Sequence, residues 1–403
     1  MSQRKVRLGI AGLGRAFSFM IPTFRGDPRI EIVAGADPRA EARDRFAADF
    51  NARPYATVEE LCADPNVDAI YIASPHQFHA PQVAIAAAHG KHALVEKPMA
   101  LSLEECRAMI AATRAAGTHL LVGHSHSFDA PIQKTRDLVA SGAYGRLRMI
   151  TAMNFTDFLY RPRRPEELDT AAGGGAVYNQ APHQVEMIRL IGGGKVKSVR
   201  AATGIWDKSR PTEGAYTAFL TFEDGVVATM TYSGYAHFDS DEFSGWYAES
   251  GLAKDPDNYG ASRAALRNAP DLAQETALKE ARNYGGEAYA DTSVPAGRKH
   301  QNFGLLIASC AHGDLRPNSE GVQIYADLER SFEPIAPPGV PRSEVMDELV
   351  AAVLDGTPPL HSGEWSMATM EVCLAILQSA SEGREIELKH QVGLPTAKGG
   401  LHV

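Results

Sequence analysis

The chain opens on VRLGIAGLGRAF: an apolar strand from Val6 to Ala11 runs into Gly12-Leu13-Gly14, and a helix comes next. Glycine at 12 and 14 permits a tight turn and lets a pyrophosphate approach the backbone at the helix N-terminus. Such a start constrains the rest of the domain, because a parallel partner strand needs a right-handed crossover. The spacing predicts further strands over 31–36, around Tyr55, and over 69–73, 93–96 and 119–123. Helices over 40–50, 81–89 and 103–116 separate them. This alternation specifies an α/β fold with a doubly wound parallel sheet, a dinucleotide-binding domain over 1–126.

The pattern changes after residue 126. Longer strands are predicted over 146–154, 196–203, 215–222 and 226–232, the last two joined by the hairpin turn Glu223-Asp224-Gly225. Helices are expected over 183–191, 343–354 and 366–382, and residues 239–300 read as a polar, helix-prone insertion near the sheet edge. Residues 127–403 are therefore expected to form an α+β domain on an antiparallel sheet. A chain of 403 residues suits two such units.

A net charge of −9 argues against nucleic acid as a partner. No run approaches the roughly 18 apolar residues of a membrane span. The N-terminus enters a strand directly, so no signal peptide is expected. Cys62, Cys106, Cys310 and Cys373 show no paired spacing, which favours reduced thiols in a cytoplasmic protein. His124 and His126 share one strand face, but no third ligand is evident and no metal is expected.

Phe17 stands where the dinucleotide motif has its third glycine. Context strengthens the motif, because Asp37 ends the second strand 23 residues after Gly14. A carboxylate there bonds ribose hydroxyls and repels a 2′-phosphate, so NAD is expected over NADP, although Arg39 could accept that phosphate. The expected cofactor contacts are Gly12, Gly14, Arg15, Ala16 and Phe17 at the turn, then Asp37, Pro38 and Arg39. Ser74, Pro75, His76, His79, Glu96 and Lys97 complete the set at later strand ends. The alternative is a strand–turn–helix in a nucleotide-free doubly wound fold.

Four ordered motifs carry a resemblance: GIAGLG, SPHQFH at 74–79, Glu96-Lys97-Pro98, and GGGAVYNQAPH at 173–183. They resemble the glucose-fructose oxidoreductase, inositol dehydrogenase and rhizopine-catabolism (Gfo/Idh/MocA) family. The resemblance implies a Rossmann domain over 1–126, then an open antiparallel sheet in a domain for substrate binding and oligomerisation over 127–403, with the active site between them. It also implies Lys97 facing the substrate, a cis Lys97-Pro98 bond and His183 as its polar partner. The chemistry agrees, since oxidising a carbinol needs a proton acceptor and a desolvated lysine can serve near neutrality. Glu96 would position Lys97. Sugar and cyclitol dehydrogenases of the family carry an aspartate where this chain has Asn179, which cannot take a proton. Lys97 and His183 are then expected to act as the acid/base pair.

The run Tyr160-Arg161-Pro162-Arg163-Arg164-Pro165 offers guanidinium forks for an anionic substrate, or a solvated basic loop. Arg161, Arg163, Arg164, His126 and Asn179 join Lys97 and His183 as expected substrate contacts. YRPRRPEELD, NQAPHQVE, SGWYAESG, GDLRP and ATMEVCLAIL resemble the phthalate 4,5-cis-dihydrodiol dehydrogenases most. That resemblance implies NAD-linked oxidation of the diol to 4,5-dihydroxyphthalate. The alternatives are an NAD(P)-dependent sugar or cyclitol dehydrogenase, an NAD-using glycoside hydrolase, and a dinucleotide-sensing regulator. A homodimer or homotetramer through the C-terminal sheet is expected by analogy.

Overall fold

The computed structural model describes residues 4–269, 271–290 and 297–395. Among these, six strands form the first sheet: β1 (Val6–Ala11), β2 (Ile30–Ala36), β3 (Arg53–Tyr55), β4 (Ala69–Ile72), β5 (His92–Val95) and β6 (Leu120–Val122). All pair in parallel, in the order β3-β2-β1-β4-β5-β6. The order reverses beside β1, which opens a crevice at the carboxyl ends of β1 and β4. Gly12, at φ 93°, and Lys97 both follow strands that end there.

Nine strands form the second sheet among the described residues: β7 (Leu147–Phe155), β8 (Val196–Gly204), β9 (Ala215–Phe222), β10 (Val227–Ser233), β11 (Leu305–Cys310), β12 (Gly313–Asn318), β13 (Gly321–Ala326), β14 (Arg330–Pro334) and β15 (Ile386–Glu387). Their order is β14-β13-β12-β11-β7-β10-β9-β8-β15. The expected antiparallel sheet needs one amendment, because β7 and β10 pair in parallel. The chain leaves β7, crosses through the helix Ala181–Ile191, and meanders back along β8, β9 and β10. Glu223-Asp224-Gly225 makes the expected hairpin, with Gly225 at φ 87°. Val185, Ile188, Trp365 and Cys373 of two helices bury one face of this sheet against Val199, Leu220 and Ala228.

The helices Val58–Ala63 and Ala130–Ala140 and strands β11 to β14 were not expected from the sequence. The first carried a signal, since Thr57 and Glu60 cap it reciprocally. We keep the division at residue 126 as a proposal, with one exchange: Val345, Met346 and Leu349 of the helix Ser343–Asp355 pack on Val6, Leu8 and Ile10.

The insertion, expected near the sheet edge, divides between the two domains. Residues 270 and 291–296 lie outside the described residues, as does the polar tail from 396. The first part of the insertion stays with the second domain, where Ser240 Oγ donates to Asn154 Oδ1 at 2.7 Å and Glu275 pairs with Arg210 at 2.8 Å. Tyr284 reaches the first domain: its ring lies 5.2 Å from Phe17, and its hydroxyl donates to Asp49 at 2.7 Å. Aromatic burial draws this stretch onto the first domain. No helix of the described residues is long and apolar enough to cross a membrane.

Candidate active site

The crevice holds a cavity of about 830 Å³, walled by Ala16, Ser74, His76 and Lys97 from the first domain and by Asn154, Arg161 and His183 from the second. Glu249 and Arg298 of the insertion close it.

The glycine turn fits a dinucleotide. A Cβ at Gly12 would meet Ser74 N at 2.8 Å, so that close approach needs glycine. The helix Arg15–Gly26 begins with no side-chain cap and no acidic residue in its first turn, leaving its first N–H groups open to an anion. Ala16 faces the cavity, while Arg15 lies 4.4 Å over the Phe19 ring and donates to Arg282 O at 3.4 Å. Phe17 requires a correction. Its side chain is fully buried against Phe46, Phe50 and Tyr284, because helical spacing turns position 17 toward the core.

Asp37 accepts from Leu13 N at 2.8 Å and from Arg39 N, Nε and Nη2 at 3.0, 3.0 and 3.2 Å. These four bonds occupy about all the acceptor positions of a carboxylate. Arg39 is held in turn by Leu13 O at 2.7 Å, and Pro38 is exposed with its carbonyl on Arg43. The Arg39 guanidinium therefore braces the turn instead of standing free for a 2′-phosphate.

Ser74 and His76 line the cavity; Pro75 precedes the short turn that carries His76. Burial first, then neighbouring His79 and Lys97, lower the His76 imidazole to about 3, which keeps it neutral. His79 was expected at the nicotinamide pocket but is fully buried. Its Nδ1 meets Pro98 O and its Nε2 meets Ser74 O, both at 3.0 Å, so it ties the 74–79 loop to the Lys97-Pro98 bond.

Lys97-Pro98 is cis. Lys97 is half-buried on the cavity wall and donates to Asn179 O at 3.0 Å. Burial lowers its pKa, Glu96 works against that shift, and Arg163 and Arg342 add to it. Glu96 itself accepts from Tyr71 Oη at 2.5 Å. Asn179 offers its backbone carbonyl to Lys97, while its amide turns back to Gly175 O at 2.8 Å. The expected contact between that amide and a substrate hydroxyl is therefore not made available: the tight glycine run captures the side chain.

His183 is 5% exposed and lies on the cavity wall. Its ring centroid stands 4.9 Å from those of His126 and Phe303, and its Nδ1 has no hydrogen-bond partner among the described residues. Burial first, then Lys97 and the neighbouring histidines, hold its pKa well below the ordinary value. A neutral imidazole results, able to orient a hydroxyl but weak as a proton acceptor. His126 lies behind this wall: Nδ1 meets Asp129 Oδ2 at 2.6 Å and Nε2 faces Glu249 Oε1 at 3.4 Å. Burial opposes its imidazolium, yet Asp129 and Glu249 outweigh that and hold the pKa up to about 9.

The three arginines separate. Arg161 reaches the cavity and pairs with Asp157 at 3.1 Å. Arg163 is buried over the Phe158 ring at 3.7 Å, donates to Phe158 O and pairs with Glu167 at 3.5 Å. Arg164 pairs with Glu166 at 3.0 Å. Neither lines the cavity, because the acidic run just after them supplies internal partners. The double-arginine clamp is thus corrected, and the arginines that do reach the cavity are Arg161, Arg298 and Arg342. Glu249, Arg298 and Arg342 were not read from the sequence; the SGWYAESG run marked the place of Glu249 without indicating its role.

A parallel sheet in Rossmann order, a glycine cradle beneath an open helix N-terminus and a lysine facing the cavity define a nicotinamide-dependent oxidoreductase. Residues 6–124 match the oxidoreductase family with the NAD-binding Rossmann fold, and residues 132–246 match the GFO/IDH/MocA C-terminal domain. The chain belongs to the Gfo/Idh/MocA oxidoreductase family, and its cofactor is NAD. It is similar to the 1-carboxy-3-chloro-3,4-dihydroxycyclohexa-1,5-diene dehydrogenase of Comamonas testosteroni, at 46% identity over 93% of this chain and 94% of that protein. The crystal structure of a Bordetella bronchiseptica RB50 protein assigned as a dehydrogenase superposes with a TM-score of 0.89 at 44% identity, over 95% of this chain and all of that one. The WlbA dehydrogenase of Bordetella pertussis, in complex with NADH and UDP-GlcNAcA, shares the fold at a TM-score of 0.68 and 22% identity, over 96% of this chain and 99% of that one.

Proposed function

We propose that the protein oxidises a cis-dihydrodiol of a carboxylated cyclohexadiene with NAD. The observation that carries this reading is the placing of Lys97, His183 and Arg161 around one cavity. The 46% identical relative, whose name specifies a carboxylated dihydrodiol, supports it. That substrate carries one ring carboxylate, and one cavity arginine outside the internal pairs of Arg163 and Arg164 suits it. Phthalate 4,5-cis-dihydrodiol, with two carboxylates, is the finer expectation; Arg298 could meet the second.

Gly12, Gly14 and Ala16 would hold the dinucleotide, with Asp37 and Arg39 shaping its ribose end. When bound, NAD accepts a hydride from the carbinol carbon. Neutral Lys97 takes the hydroxyl proton, and the C–H electron pair leaves as hydride. His183 keeps the hydroxyl oriented, so the acid/base pair becomes one acceptor and one positioning imidazole. Arg161 binds the carboxylate and fixes which carbinol faces Lys97. The hydroxyketone product tautomerises to a catechol, and aromatisation draws the reaction forward. The exposed sheet face bearing Met149, Phe219, Tyr325 and Phe332 is the proposed surface for a homodimer or homotetramer.

The test supplies NAD with the cis-dihydrodiols of benzoate, 3-chlorobenzoate and phthalate, a sugar and a cyclitol, and monitors NADH. Turnover confined to the sugar or cyclitol would overturn the proposal. Tightly held NAD cycling without NADH would mark a glycoside hydrolase instead.

A further inference from the structure

Three side chains on and behind the cavity wall converge, and two of them, His126 and Glu249, have no part in the hydride-transfer chemistry. His126, His183 and Glu249 each present a ligand atom, and these atoms lie within 4.8 Å of one another. His126 and Glu249 stand 123 positions apart in the chain, so the fold and not local sequence brings them together.

The donor atoms of His126 and Glu249 face each other. Asp129 Oδ2 accepts a hydrogen bond from His126 Nδ1 at 2.6 Å, which aims Nε2 at Glu249. A carboxylate behind a ligating histidine is the usual way to fix its tautomer and raise its basicity. His124 Nε2 meets the other Asp129 oxygen at 3.3 Å and steadies it. Nε2 of His126 and Oε1 of Glu249 are 3.4 Å apart. That is long for an N–H···O bond, whose usual length is about 2.9 Å. For this pair it matches the spacing of two ligand atoms in a tetrahedral zinc site, where bonds of about 2.0–2.1 Å place donors roughly 3.3–3.4 Å apart, while the three donors together lie within the wider bound of 4.8 Å.

The independent observation is on His183. It is 5% exposed, yet its Nδ1 is buried without a hydrogen-bond partner among the described residues. A proton shared between His126 and Glu249 would satisfy those two residues and leave His183 as it is. Lys97 and Arg161 also face Glu249, so charge alone does not call for an ion. The geometry and the orphaned nitrogen make the case.

We propose that His126, His183 and Glu249 form a divalent-cation site, suited to Zn²⁺, with an open fourth position toward the cavity. Two imidazoles and one carboxylate are a donor set of catalytic zinc sites, while Mg²⁺ and Ca²⁺ prefer oxygen ligands throughout. Glu249 and His183 both line the cavity that holds Lys97, so the fourth ligand can be a substrate hydroxyl oxygen. Only the identity of that fourth ligand rests on the dihydrodiol reading; the ion itself is tested without substrate.

The full-length protein is stripped with a chelator and titrated with Zn²⁺ by calorimetry and with Co²⁺ by visible absorption. NAD binding serves as the check that each sample is folded. The site predicts one Zn²⁺ per chain, a Co²⁺ spectrum of tetrahedral type, and at least a ~10-fold loss of Zn²⁺ affinity in Glu249→Gln and in His126→Asn. Glu249 is partly exposed, and a thermal melt with an NAD titration on Glu249→Gln checks that the isosteric amide keeps the fold. Absence of stoichiometric Zn²⁺ binding, or binding that neither substitution weakens, would overturn the site. Zn²⁺ binding without dihydrodiol turnover would keep the site and sink the substrate reading. Full dihydrodiol turnover by a stripped protein that binds no Zn²⁺ would do the reverse.

Discussion

Lys97 Nζ donates to the backbone carbonyl of Asn179 at 3.0 Å, linking the end of β5 to the glycine run of the second domain. One hydrogen bond thus aims the ammonium across the cavity. It also explains how asparagine can stand at 179: the position contributes its carbonyl, which every residue type possesses.

Replacing Lys97 with methionine should lower kcat/KM by roughly 10²–10⁴ while NAD affinity changes little. Steady-state kinetics beside a calorimetric NAD titration checks both. Equal losses in binding and turnover would make Lys97 a structural residue.

The pH dependence comes from the lowered Lys97 pKa. The acceptor works when deprotonated, so kcat should rise with pH through a midpoint below the ordinary lysine pKa of about 10.4. A rising limb centred near the ordinary value would contradict the burial argument.

Arg161 and Arg163 should separate cleanly. Arg161→Ala removes a cavity cation with a partly solvated partner, so KM for a carboxylated substrate should rise at least ~10-fold with stability within ~1 kcal/mol. Arg163→Ala removes a buried guanidinium stacked on Phe158 and should cost about 1–3 kcal/mol of stability with KM nearly unchanged. Kinetics and thermal melts on both variants decide it, and a KM effect at Arg163 would restore the double-arginine clamp.

Asp37 holds Arg39 by three hydrogen bonds, and we propose that this pair sets the cofactor choice. Asp37→Asn removes the charge that repels a 2′-phosphate and loosens the guanidinium, so the preference for NAD over NADP should fall about 10-fold, roughly 1.4 kcal/mol. An unchanged ratio of kcat/KM values would place the discrimination elsewhere.

Burial pushes the Glu344 carboxyl up to about 7, with Asp129 and Asp347 adding to the shift. The folded state then holds the proton more tightly than the unfolded chain. Stability from this group is complete below about 4.5 and falls as pH rises toward 7. Glu344→Gln should remove that decline and gain on the order of 1 kcal/mol at pH 8. Parallel melting curves against pH for the two proteins would refute this.

The sequence made the frame readable where local chemistry decides structure. Gly12 needs its positive φ, Glu223-Asp224-Gly225 closes a hairpin, and Ser102 with Glu105 caps the helix Leu103–Ala116 at its expected bounds. The site was less readable because its members meet only in space. Glu249 sits in a polar segment without periodicity, and nothing local ties it to His126. Phe17, His79, Arg163 and Arg164 carry motif-like positions, yet burial and acidic partners draw their side chains into the scaffold. A motif fixes where the backbone passes; the neighbours decide where the side chain goes.

Dihydrodiol oxidation through Lys97 is tested most directly by NADH formation from purified protein, NAD and the cis-dihydrodiol of a carboxylated aromatic, with Lys97→Met alongside. Rapid NADH and a catechol product are predicted for the natural chain and almost none for the variant. NADH from a cyclitol or sugar alone, or equal rates from both proteins, would contradict it.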